Sequence, residues 1–170
     1  MTTVVLSTAL TTPKDDRLPM QILEDIKKSK GLEVHPFAVN AIHKYNNPDF
    51  KASGAGVFSL IEYRDLKSEE RTLNGIWAVS KSRNLVRPSI VSSLLFVEIH
   101  GLLDYREIVF LHQNMNIPRV NNPSKSNSFA LVMRRQGPRG CLDTVRLRKS
   151  KFFVEDGMAF AFWTGTSETE

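Results

Sequence analysis

Histidines, cysteines and paired carboxylates are the side chains that hold metals or move protons near neutral pH, and their spacing decides whether they do so. The chain carries His35, His43, His100 and His112. A metal site on one element wants two histidines four apart on a helix or two apart on a strand, and neither spacing occurs. His100 and His112 flank an apolar stretch and read as a cross-strand polar pair. Cys141 is the only cysteine and stands in Arg139-Gly140-Cys141-Leu142-Asp143. A flanking arginine lowers a thiol's pKa, but a nucleophilic cysteine also needs an orienting histidine, and the sequence indicates none. The acids Asp15-Asp16, Glu69-Glu70 and Glu155-Asp156 are adjacent, and such neighbours usually point apart, as in solvated turns. Gly54-Ala55-Gly56 lacks the lysine and following helix of a phosphate loop. The expectation is a protein with no catalytic residue, no metal, no cofactor and no small-molecule substrate.

Charge is the feature that points to a partner. From Lys125 to Lys151 eight basic residues face one acid, Asp143, a net +7 in a chain whose total is +5. The remainder is therefore slightly acidic. Such a segment expects an anion: nucleic acid or an acidic membrane face. With a strand expected over Val145–Phe153, Arg146 and Arg148 project together outward while Val145 and Leu147 face the core. Arg134 and Arg135 end the neighbouring strand and Arg139 lies in the loop between. The expected anion-binding surface is thus Arg134, Arg135, Arg139, Arg146, Arg148, Lys149 and Lys151. The plainer reading, an edge strand kept soluble by charge, stays open beside it. Phe152, Phe153, Phe160, Phe162 and Trp163 lie near in sequence and read as core more than as base-stacking platforms. A secondary basic cluster, Lys27, Lys28 and Lys30, also suits the end of a helix, where cations complement the dipole.

These residues need elements to hold them. Residues 3–10 read as a strand. Leu18, Ile22 and Ile26 recur every four residues, with Pro19 in the first turn and Gly31 at the stop, which predicts a helix. Pro36–Tyr45, with Ala38, Ala41, Ile42 and Tyr45 in a stripe, predicts a second. After Gly56 the period changes to two. Strands are expected at Val57–Tyr63, Leu73–Val79 (Gly75 marking a bulge or close approach), Phe129–Arg135, Val145–Phe153 and Met158–Trp163. Ile90–His100 and Leu103–His112 read as a hairpin around Gly101, although either apolar run also fits a buried helix. Pro118–Asn127 reads as a loop. The fold class is α+β, a mostly antiparallel sheet with two N-terminal helices.

Length and composition are those of one domain over residues 1–170, helical through residue 55 and β-rich over residues 56–165. A single cysteine can form no internal disulfide, which fits a reducing compartment. No apolar run is long enough to span a bilayer. The opening Met1-Thr2-Thr3-Val4-Val5-Leu6 lacks a basic start, so no secretory signal is expected.

The order of these segments resembles that of rhabdovirus matrix proteins, including those of plant-infecting members. The resemblance is carried by the strand Thr3–Leu10, the helix Leu18–Lys28, Gly56-Val57-Phe58-Ser59-Leu60-Ile61, Asn74-Gly75-Ile76-Trp77-Ala78-Val79, the apolar pair Leu94–Leu111 and the basic C-terminal strands. It implies a non-enzymatic, self-associating viral structural protein, present in the virion and the host cytoplasm with the host nucleus also open to it. Such a protein bridges ribonucleoprotein to an acidic membrane face as a peripheral homo-oligomer. A small nucleic-acid-binding regulatory protein, of the viral accessory or silencing-suppressor type, is the alternative from another class.

Overall fold

The computed structural model describes residues 10–46, 56–119, 121–137, 139–148 and 152–164. Leu18 precedes helix α1 (Pro19–Lys30), whose Ile22, Leu23 and Ile26 are fully buried and which stops at Gly31 in the left-handed conformation. Helix α2 (Pro36–His43) buries Ala38, Ala41 and Ile42 and is capped by the His35 ring, which accepts the Phe37 N–H. Both agree with the periodicity. The expected strand over residues 3–10 lies outside the described residues except Leu10, where strand β1 (Leu10–Thr12) begins.

One mixed sheet of seven strands organises the rest, in the order β1-β3-β7-β4-β5-β6-β2. Its members beyond β1 are β2 (Glu33–Val34), β3 (Gly56–Glu62), β4 (Glu107–Arg119), β5 (Asn122–Gln136), β6 (Arg139–Arg146) and β7 (Met158–Trp163). Neighbours are antiparallel except β4 with β7 and β2 with β6. The fold is α+β, as expected. Two short strands nevertheless fall in the part read as helical, and two helices fall in the part read as β.

Those helices correct the sequence reading. Leu73–Val79 is not a strand: helix α3 (Leu73–Ser82) starts at Thr72, whose hydroxyl accepts the Gly75 N–H at 3.0 Å. Leu73, Ile76 and Ser80 form its buried stripe. Gly75 is a close approach, as read, but between helix and turn: a Cβ there would collide with the Glu70 backbone. Ile90–His100 is not a hairpin strand but helix α4 (Ile90–His100), opened by Ser89 and Ser92 bonded to each other's backbone N–H. α4 packs against α1 on one side and β1 and β4 on another, so every residue from Ile90 to Val97 is buried. A helix covered on all sides has no polar stripe, and its periodicity is invisible.

Alternation along the strands divides the core into two layers. Phe58, Ile108, Phe110, Leu131, Met133, Leu142, Ala159 and Ala161 face α1, α2 and α4. Ile61, Val109, Leu111, Ala130, Val132, Phe160 and Phe162 face α3 and the segment carrying Leu147, Phe152 and Val154. That segment is not strand: β6 spans Arg139–Arg146, several residues earlier than the expected Val145–Phe153. Most of the expected loop Pro118–Asn127 also belongs to strands, because β4 and β5 continue as a ribbon through the pairs Asn116↔Ser128 and Pro118↔Ser126. At the base of the ribbon the register jumps from Phe110↔Leu131 to Met115↔Phe129. His112 fills this bulge fully buried, its Nε2 accepting the Leu131 N–H at 3.0 Å. It does not face His100, which ends α4 with Nε2 2.8 Å from the Thr11 carbonyl oxygen.

Candidate anion-binding surface

Of the seven cations expected to act together, the sheet sets Arg134 and Arg146 apart. Arg134 pairs with Cys141 across β5 and β6, and Arg146 pairs with Phe129. Cross-strand partners share a face and successive residues alternate, so Arg134 shares the α3 face of the sheet with Cys141 and Asp143, while Arg146 shares the α1 and α2 face with Phe129. Arg139 and Arg146 also stand at opposite ends of β6, about 24 Å apart for seven residues of strand. Arg148 lies beyond the strand end and is exposed; Lys149 and Lys151 lie outside the described residues.

At the Arg134 end, acids accompany Arg134 and Arg106, while Arg135 and Arg139 meet none among the described residues. Arg134 donates from Nε to Glu107 at 3.3 Å and from a terminal nitrogen to Asp143 at 2.9 Å. Exposed Arg135 donates to the Leu103 and Tyr105 carbonyls at 3.0 and 3.5 Å, tying β5 to the turn before β4. Arg106 pairs with Glu155. Arg139 is exposed and forms no ion pair with a described residue. This end also holds an open cleft of about 620 Å³ lined by Glu62, Arg64, Asp104, Tyr105, Asp156 and Met158, among others. There the Tyr105 hydroxyl donates to Glu62 and Arg64 pairs with the same carboxylate. Burial, then that hydrogen bond, pushes the phenol well above its ordinary pKa, so Tyr105 remains a proton donor held by Glu62.

At the ribbon end the cations lack such partners. Arg146 donates to the Asn127 amide oxygen, which binds the guanidinium without cancelling its charge. Arg148 meets no carboxylate among the described residues, and exposed Lys125 lies on the ribbon. No acid occurs between Glu107 and Asp143, nor between Asp143 and Glu155. The ribbon and the start of the following segment are therefore uniformly cationic.

One grouping escaped sequence reasoning. Glu33, His35, Arg134, Cys141 and Asp143 line a cavity of about 280 Å³, because β2 runs parallel beside β6. Cysteine, histidine and aspartate together invite a nucleophile reading, and the geometry opposes it. The His35 Nδ1 is occupied as acceptor for the Phe37 N–H at 3.2 Å, so the Asp143 oxygen 3.6 Å away cannot orient a neutral ring through that nitrogen. Burial, then the charges of Asp143 and Glu33, raise the Cys141 thiol's pKa, the opposite of activation. No metal-suited group of three or more ligands occurs among the described residues.

Of the aromatics, Phe152, Phe160 and Phe162 are buried, and Trp163 is half-buried against Phe58 at 5.3 Å. Phe153 alone points outward. The secondary cluster sits on the last turns of α1, as expected. Lys27 reaches Glu24 at 3.4 Å and Lys28 is exposed; for Lys30 only the backbone is described. The surface beside Lys28 is mixed, with Arg17, Glu24 and Asp25 lining the same groove. In comparisons with known proteins, no family model, no curated protein and no solved structure matches this chain.

Proposed function

We propose that this chain is a non-catalytic structural protein of the matrix type, which self-associates and bridges ribonucleoprotein to an acidic membrane surface. Its anion-binding surface is the ribbon end: Arg146, Arg148 and Lys125, with Lys149 and Lys151 following in sequence. One observation carries this reading. Arg134 is neutralised by Glu107 and Asp143, whereas Arg146 is held by a neutral amide and Arg148 meets no acid among the described residues. Charge spent inside the molecule stabilises its fold; charge left in water is available to a partner. Each exposed cation near an anionic leaflet contributes about 1 kcal/mol, and on nucleic acid each phosphate contact steepens the salt dependence of affinity.

Cosedimentation with acidic vesicles and with single-stranded RNA, beside light scattering over a range of concentrations, tests this reading. It expects binding to both anions and particle growth with concentration. Binding to RNA alone, by a protein that stays monomeric, would replace it with the nucleic-acid-binding regulatory reading.

A further inference from the structure

Arg135 and Arg139 are exposed and meet no carboxylate among the described residues, at the end of the sheet where Arg134 and Arg106 are neutralised. Acids stand unpaired beside them. Asp104 and Asp156 are exposed and close no ion pair with a described residue; the Asp156 carboxylate accepts the Gly157 N–H at 2.9 Å, a neutral partner. Strand order sorts these charges. β7, β4, β5 and β6 are successive neighbours in the sheet. Asp156 precedes β7 and Asp104 precedes β4, while Arg135 stands near the end of β5 and Arg139 opens β6. The pairs Glu107↔Met158, Glu107↔Arg134 and Gln136↔Arg139 bring these strand ends level. One end of the sheet is thus acidic on its β7–β4 half and basic on its β5–β6 half. Leu103 lies between the halves, 40% exposed, with its carbonyl accepting Arg135 at 3.0 Å.

A polyanion suits this end poorly, because Asp104 and Asp156 repel it. A surface carrying the same two halves in reverse order suits it well, and a second copy turned about a two-fold axis is such a surface. We infer that this end of the sheet is the interface of a symmetric homodimer, with Arg139 of each copy against Asp156 of the other and Arg135 against Asp104. An axis between β4 and β5 turns β6 of one copy onto β7 of the other and β5 onto β4. β6 and β7 are three strand spacings apart, about 14 Å, so the two Arg139–Asp156 contacts flank the axis. Leu103 falls beside the axis and meets its counterpart, giving the charged contact an apolar centre. The inference rests on the self-associating part of the proposed function, names its surface, and leaves the ribbon end free for anions.

Charge reversal in the full chain tests it. Asp156→Lys places like charges at both Arg139–Asp156 contacts of a dimer, and so does Arg139→Glu. A mixed dimer of the two variants has one exchanged pair and one native pair, both attractive. Sedimentation velocity over a range of concentrations reads association, with circular dichroism to follow the fold. The expected result is a monomer–dimer step in the wild type that weakens with salt. Each variant alone should dimerise about tenfold or more weakly, with an unchanged spectrum, and the equimolar mixture should recover. If either variant associates like wild type, or the mixture does not recover, the interface is wrong while self-association stands. If the wild-type chain stays monomeric at every concentration, both fall. Loss of binding to RNA or acidic vesicles in Arg139→Glu, with association intact, would overturn the interface and make Arg135 and Arg139 an anion site.

Discussion

Arg134 and Arg146 belong to the same β-hairpin and lie on opposite faces of its sheet, Arg134 paired with Cys141 and Arg146 with Phe129. The first closes ion pairs with Glu107 and Asp143; the second bonds to the Asn127 amide. Two arginines twelve residues apart in a single basic run thus do different work. One contributes to the fold and the other remains a charged surface group.

Arg134→Ala is expected to lower stability by about 1 kcal/mol, a modest figure because the guanidinium is a third exposed and screened by solvent. Urea titration measures the loss. Affinity for RNA and acidic vesicles should stay within about twofold, since its charge is already satisfied.

Arg17 joins Asp15, Asp25 and Glu98 at 2.7 Å each, locking the start of α1 to the end of α4. Hydrogen bonds from the Arg17 side chain hold the Asp15 carboxyl below its ordinary pKa, against an opposing effect of burial. A folded-state value below the unfolded one, near 3.9, means that this stabilisation is complete above that pH and is lost as pH falls through the folded value. The wild-type melting temperature should therefore drop on acidification below about pH 4. Arg17→Met leaves the carboxylates facing one another and should cost about 2 kcal/mol at pH 7. Thermal melts of both proteins from pH 3 to 7 should show the acid loss in the wild type and a smaller one in Arg17→Met, where no guanidinium holds the Asp15 carboxyl down.

His112→Leu removes the acceptor of a buried N–H inside the β4–β5 bulge. The expected cost is about 2 kcal/mol, from leaving a buried donor unpaired. Hydrogen exchange should show the Leu131 amide losing protection relative to its strand neighbours.

Gly75→Ala exchanges a poor helix former for the best one, a gain of about 1 kcal/mol in an open helix. Here the added methyl meets the Glu70 carbonyl, so a net loss above about 1 kcal/mol is expected in chemical denaturation.

Helices α1 and α2 were legible because each has one wet face, with Ile22 and Ile26 or Ala38 and Ala41 on the dry one. Helix α4 was not, since burial on all sides erased the contrast that periodicity measures. Its surviving signals were the Ser89 and Ser92 cap and the stop at Gly101. The basic window was equally plain as composition, but its division was not. Which face an arginine takes depends on the strand's bounds and register, and a shift of one residue reverses every side chain. With β6 starting at Arg139 instead of Val145, Arg148 falls beyond the strand and Arg134 meets Asp143. The grouping of His35 with Cys141 depended on a two-residue parallel strand, Glu33–Val34, too short to read from any pattern.

The central claim is that the ribbon end binds anions while Arg134 holds the fold. Its most direct test is a titration of RNA and of acidic vesicles at three salt concentrations. The titration compares the wild type, the pair Arg146→Ala with Arg148→Ala, and Arg134→Ala alone. The account predicts roughly tenfold or greater weakening and a shallower salt slope for the pair. It predicts near wild-type binding with reduced stability for Arg134→Ala. A loss from Arg134→Ala equal to that of the pair, or no loss from Arg146 and Arg148, would contradict it.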